Sequence, residues 1–294
     1  MKGDESWVWI DDQIVPGNNA QVSVFDRGFL YGDSIYETMR SRGRKITFLD
    51  RHLERLASSA EGIGLDLPRE SGEIAGILQQ VVDAAPAGQD AAVRLMVSRG
   101  KGPPGLDFEG CQPHLVIIAK PLSPGLHPAA ADGIDIIGTT VRRNPKGALD
   151  PAIKSGNFLN NIQAYREVQE AGAFEGVMLT ISGDVAEATT SNIFWVRAGT
   201  VFTPRSEGIL AGVTRATVLE LLEASGTPFE VGAFSFDHLM AAEEIFLTST
   251  LKGVLPVKTI DGVTLSSPDR GSMTRTVEIG YEERALHSTV SGES

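Results

Sequence analysis

Apolar and polar positions along the chain follow two rhythms. Up to about residue 48 the apolar residues come in short runs: WVWI at 7–10, QVSVFD at 21–26, then a mixed stretch ending in MRSRGRKITF. Gly17-Asn18-Asn19 and Gly43 punctuate them, so this part predicts strands separated by turns. The rhythm then changes. Leu53, Leu56, Ala57, Ala60 and Ile63 recur at helical spacing behind Asp50, which stands where an N-cap would. Ile74, Ile77, Leu78, Val81 and Val82 predict a second helix, followed by strands at 92–99 and 114–120.

The stretch 121–133, PLSPGLHPAAADG, carries three prolines and precedes a fresh strand at 134–141. It predicts a linker between an N-terminal domain, 1–120, and a C-terminal domain, 134–294. In the second half a helix over 158–171 stops at Gly172. Strands VMLTI, NIFWV and TVFTP follow, then a helix from Thr214 stopped by Gly226. IFLTS, a VLPVKTIDGVTL hairpin and a helix over 268–287 complete it, with STVSGES as a disordered tail. The pattern is α+β and lacks the regular alternation of a doubly wound sheet.

Composition narrows the chemistry. The 294 residues suit about two domains. The single cysteine, Cys111, excludes an intramolecular disulfide framework and clustered-cysteine metal sites. A net charge of -12 argues against a nucleic-acid partner. No apolar run approaches the ~20 residues of a membrane helix. MKGDESWVWIDD has no basic segment ahead of an apolar one, so the expected compartment is the cytoplasm.

Several motifs fail. Gly100-Lys101-Gly102-Pro103-Pro104-Gly105 fits G-x-G-x-x-G, but Pro103-Pro104 leads into Gly105 and not into a helix, so the segment reads as a flexible loop suited to a substrate lid. The five histidines are scattered without paired-ligand spacing, and no metal is expected. No G-x-S-x-G elbow occurs. Lys154 is different. It follows an apolar stretch and precedes the turn Ser155-Gly156, where a lysine can point inward. A desolvated amine has a lowered pKa and bonds covalently to carbonyl carbon.

IKSGNFLNN, followed some thirty residues later by AEATTSNIF, resembles the fold-type IV pyridoxal-phosphate enzymes: branched-chain aminotransferases, D-amino-acid aminotransferases and aminodeoxychorismate lyases. SVFDRGFLYGDSIYE, HLERL, GVTR and FLTST–LPV occur in the family's order, so the likeness spans residues 7–265. It implies two domains, a small α/β one and a larger pseudo-barrel one, with the active site in the cleft between them, and pyridoxal 5'-phosphate as cofactor. Lys154 matches the lysine that holds the cofactor covalently and moves the substrate proton. Glu187 matches the carboxylate beside the pyridine nitrogen. Arg55, Val213, Thr214 and Thr250 match the phosphate contacts, with Asn192 and Arg143 in support. Phe158 stands where the family often has tyrosine, so that hydroxyl is missing.

The resemblance also places Tyr31, Tyr36, Thr38, Arg40 and Arg94 around the substrate. Arg94 matches the arginine that accepts the distal carboxylate of glutamate in branched-chain enzymes, and its planar fork suits a carboxylate. Arg99 is the alternative, but an odd separation puts the two on opposite faces of a regular strand. Against the branched-chain pattern F-E-G-I-R the chain has Tyr36-Glu37-Thr38-Met39-Arg40, and Ala92 replaces the tyrosine of Y-I-R. The loop GKGPPGLD lacks the arginine and histidine of the D-specific group, and Thr38 is a feature of the lyases. The expected activity is transfer of the amino group of a branched-chain or similar L-amino acid to 2-oxoglutarate. Aminodeoxychorismate lyase and D-amino-acid or amine transaminase are the alternatives. A homodimer is implied, with Tyr31 or the 100–110 loop as the partner's contribution.

Overall fold

The computed structural model describes residues 5–85, 89–122, 132–267 and 271–288. The chain divides into two compact units, one of Met1–Gly125, Ile153–Asn157 and Ala285–Ser294, the other of Leu126–Ala152 and Phe158–Arg284. The short stretch around Lys154 therefore belongs with the first unit and not with the sequence that surrounds it.

In the first unit the elements are β1 (Trp7–Ile10), β2 (Gln13–Pro16), α1 (Arg27–Tyr31), β3 (Ser34–Arg42), β4 (Lys45–Ile46), α2 (Leu49–Gly62), α3 (Ser71–Asp83), β5 (Asp90–Lys101) and β6 (Gln112–Leu122). The strands form one antiparallel sheet in the order β2-β1-β6-β5-β3-β4. Period-two alternation splits its residues cleanly. Ile35 and Met39 of β3, Val93, Leu95 and Val97 of β5, and Leu115 and Ile117 of β6 enter one core with Leu53, Leu56 and Ala60 of α2 and Ile74, Leu78 and Val81 of α3. The even-numbered residues of β3 and β5 face the other way. Trp7 closes the helical side, its indole N–H donating to the Val81 carbonyl at 2.6 Å.

The second unit contains β7 (Ile134–Arg142), α4 (Leu159–Ala171), β8 (Glu175–Leu179), β9 (Val185–Ala188), β10 (Asn192–Arg197), β11 (Thr200–Pro204), α5 (Val213–Ala224), β12 (Phe229–Gly232), α6 (Phe236–Met240), β13 (Glu244–Ser249), β14 (Gly253–Ile260), β15 (Val263–Thr264) and α7 (Ser272–His287). The strand order is β12-β11-β10-β13-β14-β7-β8-β9, with β15 beside β14. Three residues join β9 to β10, yet four strands separate them along that order. So short a connection requires the sheet to curl back on itself, and it forms a half-barrel around Ile136, Val177, Ile193, Trp195, Leu247 and Leu255.

Some expectations need correction. QVSVFD is not a strand: Val22 and Val24 are exposed, the Ser23 hydroxyl accepts the Phe25 N–H, and Asp26 caps α1 by accepting from the Gly28 N–H at 2.7 Å. Asp50 is not an N-cap. Phe48 takes that place with φ 53°, and Asp50 lies within the first turn, where its charge favours the helix dipole. Four-residue β9, which carries Glu187, was not anticipated. β6 runs on to Leu122, and α7 begins at Ser272. Most of the expected linker, 123–131, and the tail from 289 lie outside the described residues. Among the described residues no helix is long and apolar enough to cross a membrane.

Candidate active site

Lys154 is fixed through its backbone. Residues 154–156 pair with the start of β3, on the edge that β4 leaves uncovered: the Tyr36 N–H donates to the Lys154 carbonyl at 2.9 Å, and the Gly156 N–H donates to the Ser34 carbonyl at 2.7 Å. Any side chain at 156 would overlap the Ser34 hydroxyl, so the close approach requires glycine. From the other side Ser59 of α2 accepts the Lys154 N–H at 3.1 Å. The half-buried Lys154 ammonium then sits 4.5 Å from the Tyr36 ring centre.

Arg55 and its surroundings occupy the helical side of the sheet. Glu37 is odd-numbered, between Ile35 and Met39, and so is driven into that core. Its carboxylate is almost fully buried and accepts from Arg55 Nε at 2.8 Å, Arg55 Nη2 at 2.6 Å and His52 Nδ1 at 2.8 Å. Burial pushes the Glu37 pKa up, but the hydrogen bonds from Arg55 and His52 and the arginine's charge outweigh it, and the carboxyl is held at about 2. Burial pushes the His52 pKa down, against the opposing pull of the Glu37 carboxylate 2.8 Å from Nδ1. His52, Arg55 and Ser59 lie three and four residues apart and form a polar stripe along α2.

The expected substrate residues share the opposite face. Tyr36, Thr38 and Arg40 alternate along β3, and Thr38 is the direct partner of Arg94 on β5. The Arg94 guanidinium lies over the Tyr36 ring at 3.8 Å. Arg40 is buried and paired with Asp90 at 3.2 Å. Tyr31 stands apart from this group on α1, partly exposed, with Arg27 over its ring at 4.9 Å. Arg99 follows the other parity: it donates to Asp33 and to the carbonyls of Ile63 and Gly64, each at 2.8 Å.

In the second unit Glu187 is held from three sides. Arg143 Nε donates to Oε1 at 2.8 Å, while Asn192 Nδ2 and the Leu210 N–H donate to Oε2 at 3.2 and 3.1 Å. A carboxylate has about four acceptor positions, so one more donor can be accommodated. Arg143 is itself steadied by Asn160 Oδ1 at 3.1 Å. Gly212 precedes α5 with no side-chain cap, so the first-turn N–H groups at Val213 and Thr214 suit an anion. Thr214 is buried, with its hydroxyl 3.4 Å from Tyr281 Oη. Thr250 opens the three-residue turn between β13 and β14. Phe158 is the residue before α4.

A family model, amino-transferase class IV, matches residues 34–260. The chain belongs to the class IV aminotransferases. It is 34% identical over 278 residues to a provisionally named branched-chain-amino-acid aminotransferase of Methanocaldococcus jannaschii, covering 94% of this chain and 95% of that one. It is 32% identical to the D-alanine aminotransferase of Bacillus licheniformis, covering 96% and 98%. It is 29% identical to the aminodeoxychorismate lyase of Bacillus subtilis, covering 94% of each. The crystal structure of a branched-chain aminotransferase from Thermoproteus uzoniensis with norvaline superposes with a TM-score of 0.88 at 30% identity, covering 96% and 95%.

Class IV aminotransferases are pyridoxal-phosphate-dependent transaminases, and the residues here fit that cofactor. The chain offers a backbone-anchored lysine, a buried carboxylate with one acceptor position to spare and an uncapped helix N-terminus. Glu37, His52 and Ser59, which contact Arg55 or Lys154, are not singled out by the sequence motifs. Glu37 leaves a signal, as a charged residue on the apolar parity of β3, and Ser59 leaves none.

Proposed function

We propose that this aminotransferase takes the amino group of a branched-chain or similar L-amino acid and passes it to 2-oxoglutarate. The observation that carries the reading is Arg94. Its guanidinium is stacked on Tyr36, the ring that the Lys154 ammonium also approaches, so one ring links a carboxylate-binding fork to the candidate reactive amine. Arg99, next to the loop that carries the D-specific groups in other members, is committed to Asp33 and two carbonyls, which favours the L-specific reading.

When bound, pyridoxal phosphate supplies an electron sink for the pair left at the substrate's Cα. The Lys154 amine would be the general base and acid of that chemistry, taking up and giving back the substrate proton at Nζ. Glu187 holds a proton at the pyridine nitrogen, with Arg143 and Asn192 orienting the carboxylate. Arg55, Val213, Thr214 and Thr250 hold the phosphate. Arg94 receives the distal carboxylate of the glutamate–oxoglutarate pair, with Tyr36, Thr38 and Arg40 along the same face.

The enzyme acts as a homodimer in this reading. Phe25, Phe29 and Leu106 are 70, 72 and 80% exposed, and Arg27 ties α1 to the loop by donating to the Gly105 and Asp107 carbonyls. A partner subunit covering these exposed apolar side chains would remove them from water.

One observation favours a second reading: Thr38, the lyase-like residue, lies directly opposite Arg94. Half-reactions separate the two. L-leucine, L-isoleucine or L-valine should bleach the visible band of the holoenzyme, and 2-oxoglutarate should restore it. Bleaching by D-amino acids alone contradicts the proposal. Pyruvate release from aminodeoxychorismate without an added keto acid establishes the lyase.

A further inference from the structure

Glu175, on β8, has no part in the chemistry above, yet its carboxylate accepts four hydrogen bonds. It is almost fully buried. The Thr189 hydroxyl donates to Oε1, and Oε2 accepts from Thr190 at 2.6 Å, Ser191 at 3.3 Å and Lys252 Nζ at 2.9 Å. Lys252 also donates to the Thr190 and Ser191 hydroxyls at 2.8 and 3.4 Å.

These partners lie in two tight turns. Residues 189–191 join β9 to β10, with Glu187 just before and Asn192 just after, and the turn is closed by the Ala188 N–H on the Ser191 carbonyl at 2.8 Å. Residues 250–252 join β13 to β14 between the paired residues Ser249 and Gly253, and Thr250 is the first of them. In a three-residue turn, fixing one end leaves the other little freedom. Asn161 of α4 adds a bond from its Nδ2 to the Thr189 carbonyl at 2.9 Å.

We infer that the Glu175–Lys252 pair, with its carboxylate buried, is a positioning device that sets, from one carboxylate, both the turn beside Glu187 and the turn carrying Thr250. It rests on the reading that those residues hold pyridoxal phosphate. Neither member touches the cofactor; they act through the two turns. Their loss therefore loosens the cofactor and shifts its phosphate environment without removing the bond to Lys154.

The test uses full-length Lys252→Met, Lys252→Arg and Glu175→Gln. The readouts are the dissociation constant of pyridoxal phosphate and the phosphorus NMR shift of the bound cofactor. Lys252→Met and Glu175→Gln should each weaken binding about tenfold or more and move the phosphorus resonance, with the visible band intact at saturation. Lys252→Arg should restore most of the affinity. Lys252 is at the partly exposed end of the pair, so Lys252→Met still decides the matter if Glu175→Gln does not fold. Unchanged affinity and resonance, even with a lowered thermal midpoint, overturn the inference. Tighter binding by Glu175→Gln with weaker binding by Lys252→Met also overturns it, since that pattern means Lys252 attracts the phosphate directly. Wild type that takes up no pyridoxal phosphate overturns the functional reading and this inference with it, whereas normal wild-type uptake with unaltered variants overturns this inference alone.

Discussion

Glu37 grips one edge of the Arg55 guanidinium, with Nε on Oε1 at 2.8 Å and Nη2 on Oε2 at 2.6 Å. The pair is buried in the core of the first unit, so its contribution depends on pH. The Glu37 carboxyl falls from 4.5 to about 2 on folding. A depressed carboxylate stabilises fully above its unfolded pKa and loses that contribution as pH falls through the folded one. The window is therefore pH 4.5 down to about 2. The stabilisation is about 3 kcal/mol at neutral pH. Glu37→Gln should lose that amount at pH 7 and show a flatter acid limb, measured by denaturant unfolding across pH. An unchanged acid limb would mean that Glu37 is not the titrating group.

Arg94 should act on one substrate and not the other. Arg94→Gln is expected to raise the KM for 2-oxoglutarate roughly 10- to 100-fold, the loss of a charge-assisted bidentate contact. The KM for leucine and the cofactor affinity should change little. Steady-state kinetics with both substrates varied checks this. Equal losses for both would place Arg94 outside the distal-carboxylate role.

A methyl group at position 212 meets Asn192. The added Cβ would overlap Asn192 Oδ1, and Asn192 Nδ2 holds Glu187 at 3.2 Å. Gly212→Ala should therefore disturb both the uncapped start of α5 and the carboxylate at the pyridine nitrogen. We expect cofactor affinity to drop about tenfold, in line with one hydrogen bond to a charged group. Titration of the apoenzyme with pyridoxal phosphate measures it.

The exposed side chains of α1 bear on assembly. Phe29→Asp puts a charge on a surface that is 72% exposed in the isolated chain and is expected to be covered in the dimer. Light scattering should give a dimer for wild type and a monomer for the variant. A monomeric wild type contradicts the assembly.

Much of the fold was legible where periodicity alone decides it. The stripes of α2 and α3 and the long strands β5 and β6 follow from spacing. Parity also placed Arg94 and Arg99 on different faces, and β5 keeps its alternation as far as Ser98 before its register shifts ahead of Lys101. What periodicity could not show was tertiary. QVSVFD alternates like a strand but forms no ladder, only an isolated bridge from Asp26 to Lys101, and serine and aspartate bonds to the backbone turn it instead. Four-residue β9 is too short for its pattern to register. Lys154 lies within a sequence stretch flanked by the second unit, yet its backbone pairs with β3. Glu175 reads as one surface acid among many until the strands bring Thr189, Thr190, Ser191 and Lys252 around it.

Lys154 is proposed to carry the cofactor, and borohydride reduction of the holoprotein followed by peptide mass mapping tests this. A single phosphopyridoxyl adduct on Lys154 is expected, and none in Lys154→Ala together with loss of the visible band. An adduct on another lysine, or no adduct in a protein saturated with pyridoxal phosphate, would contradict it.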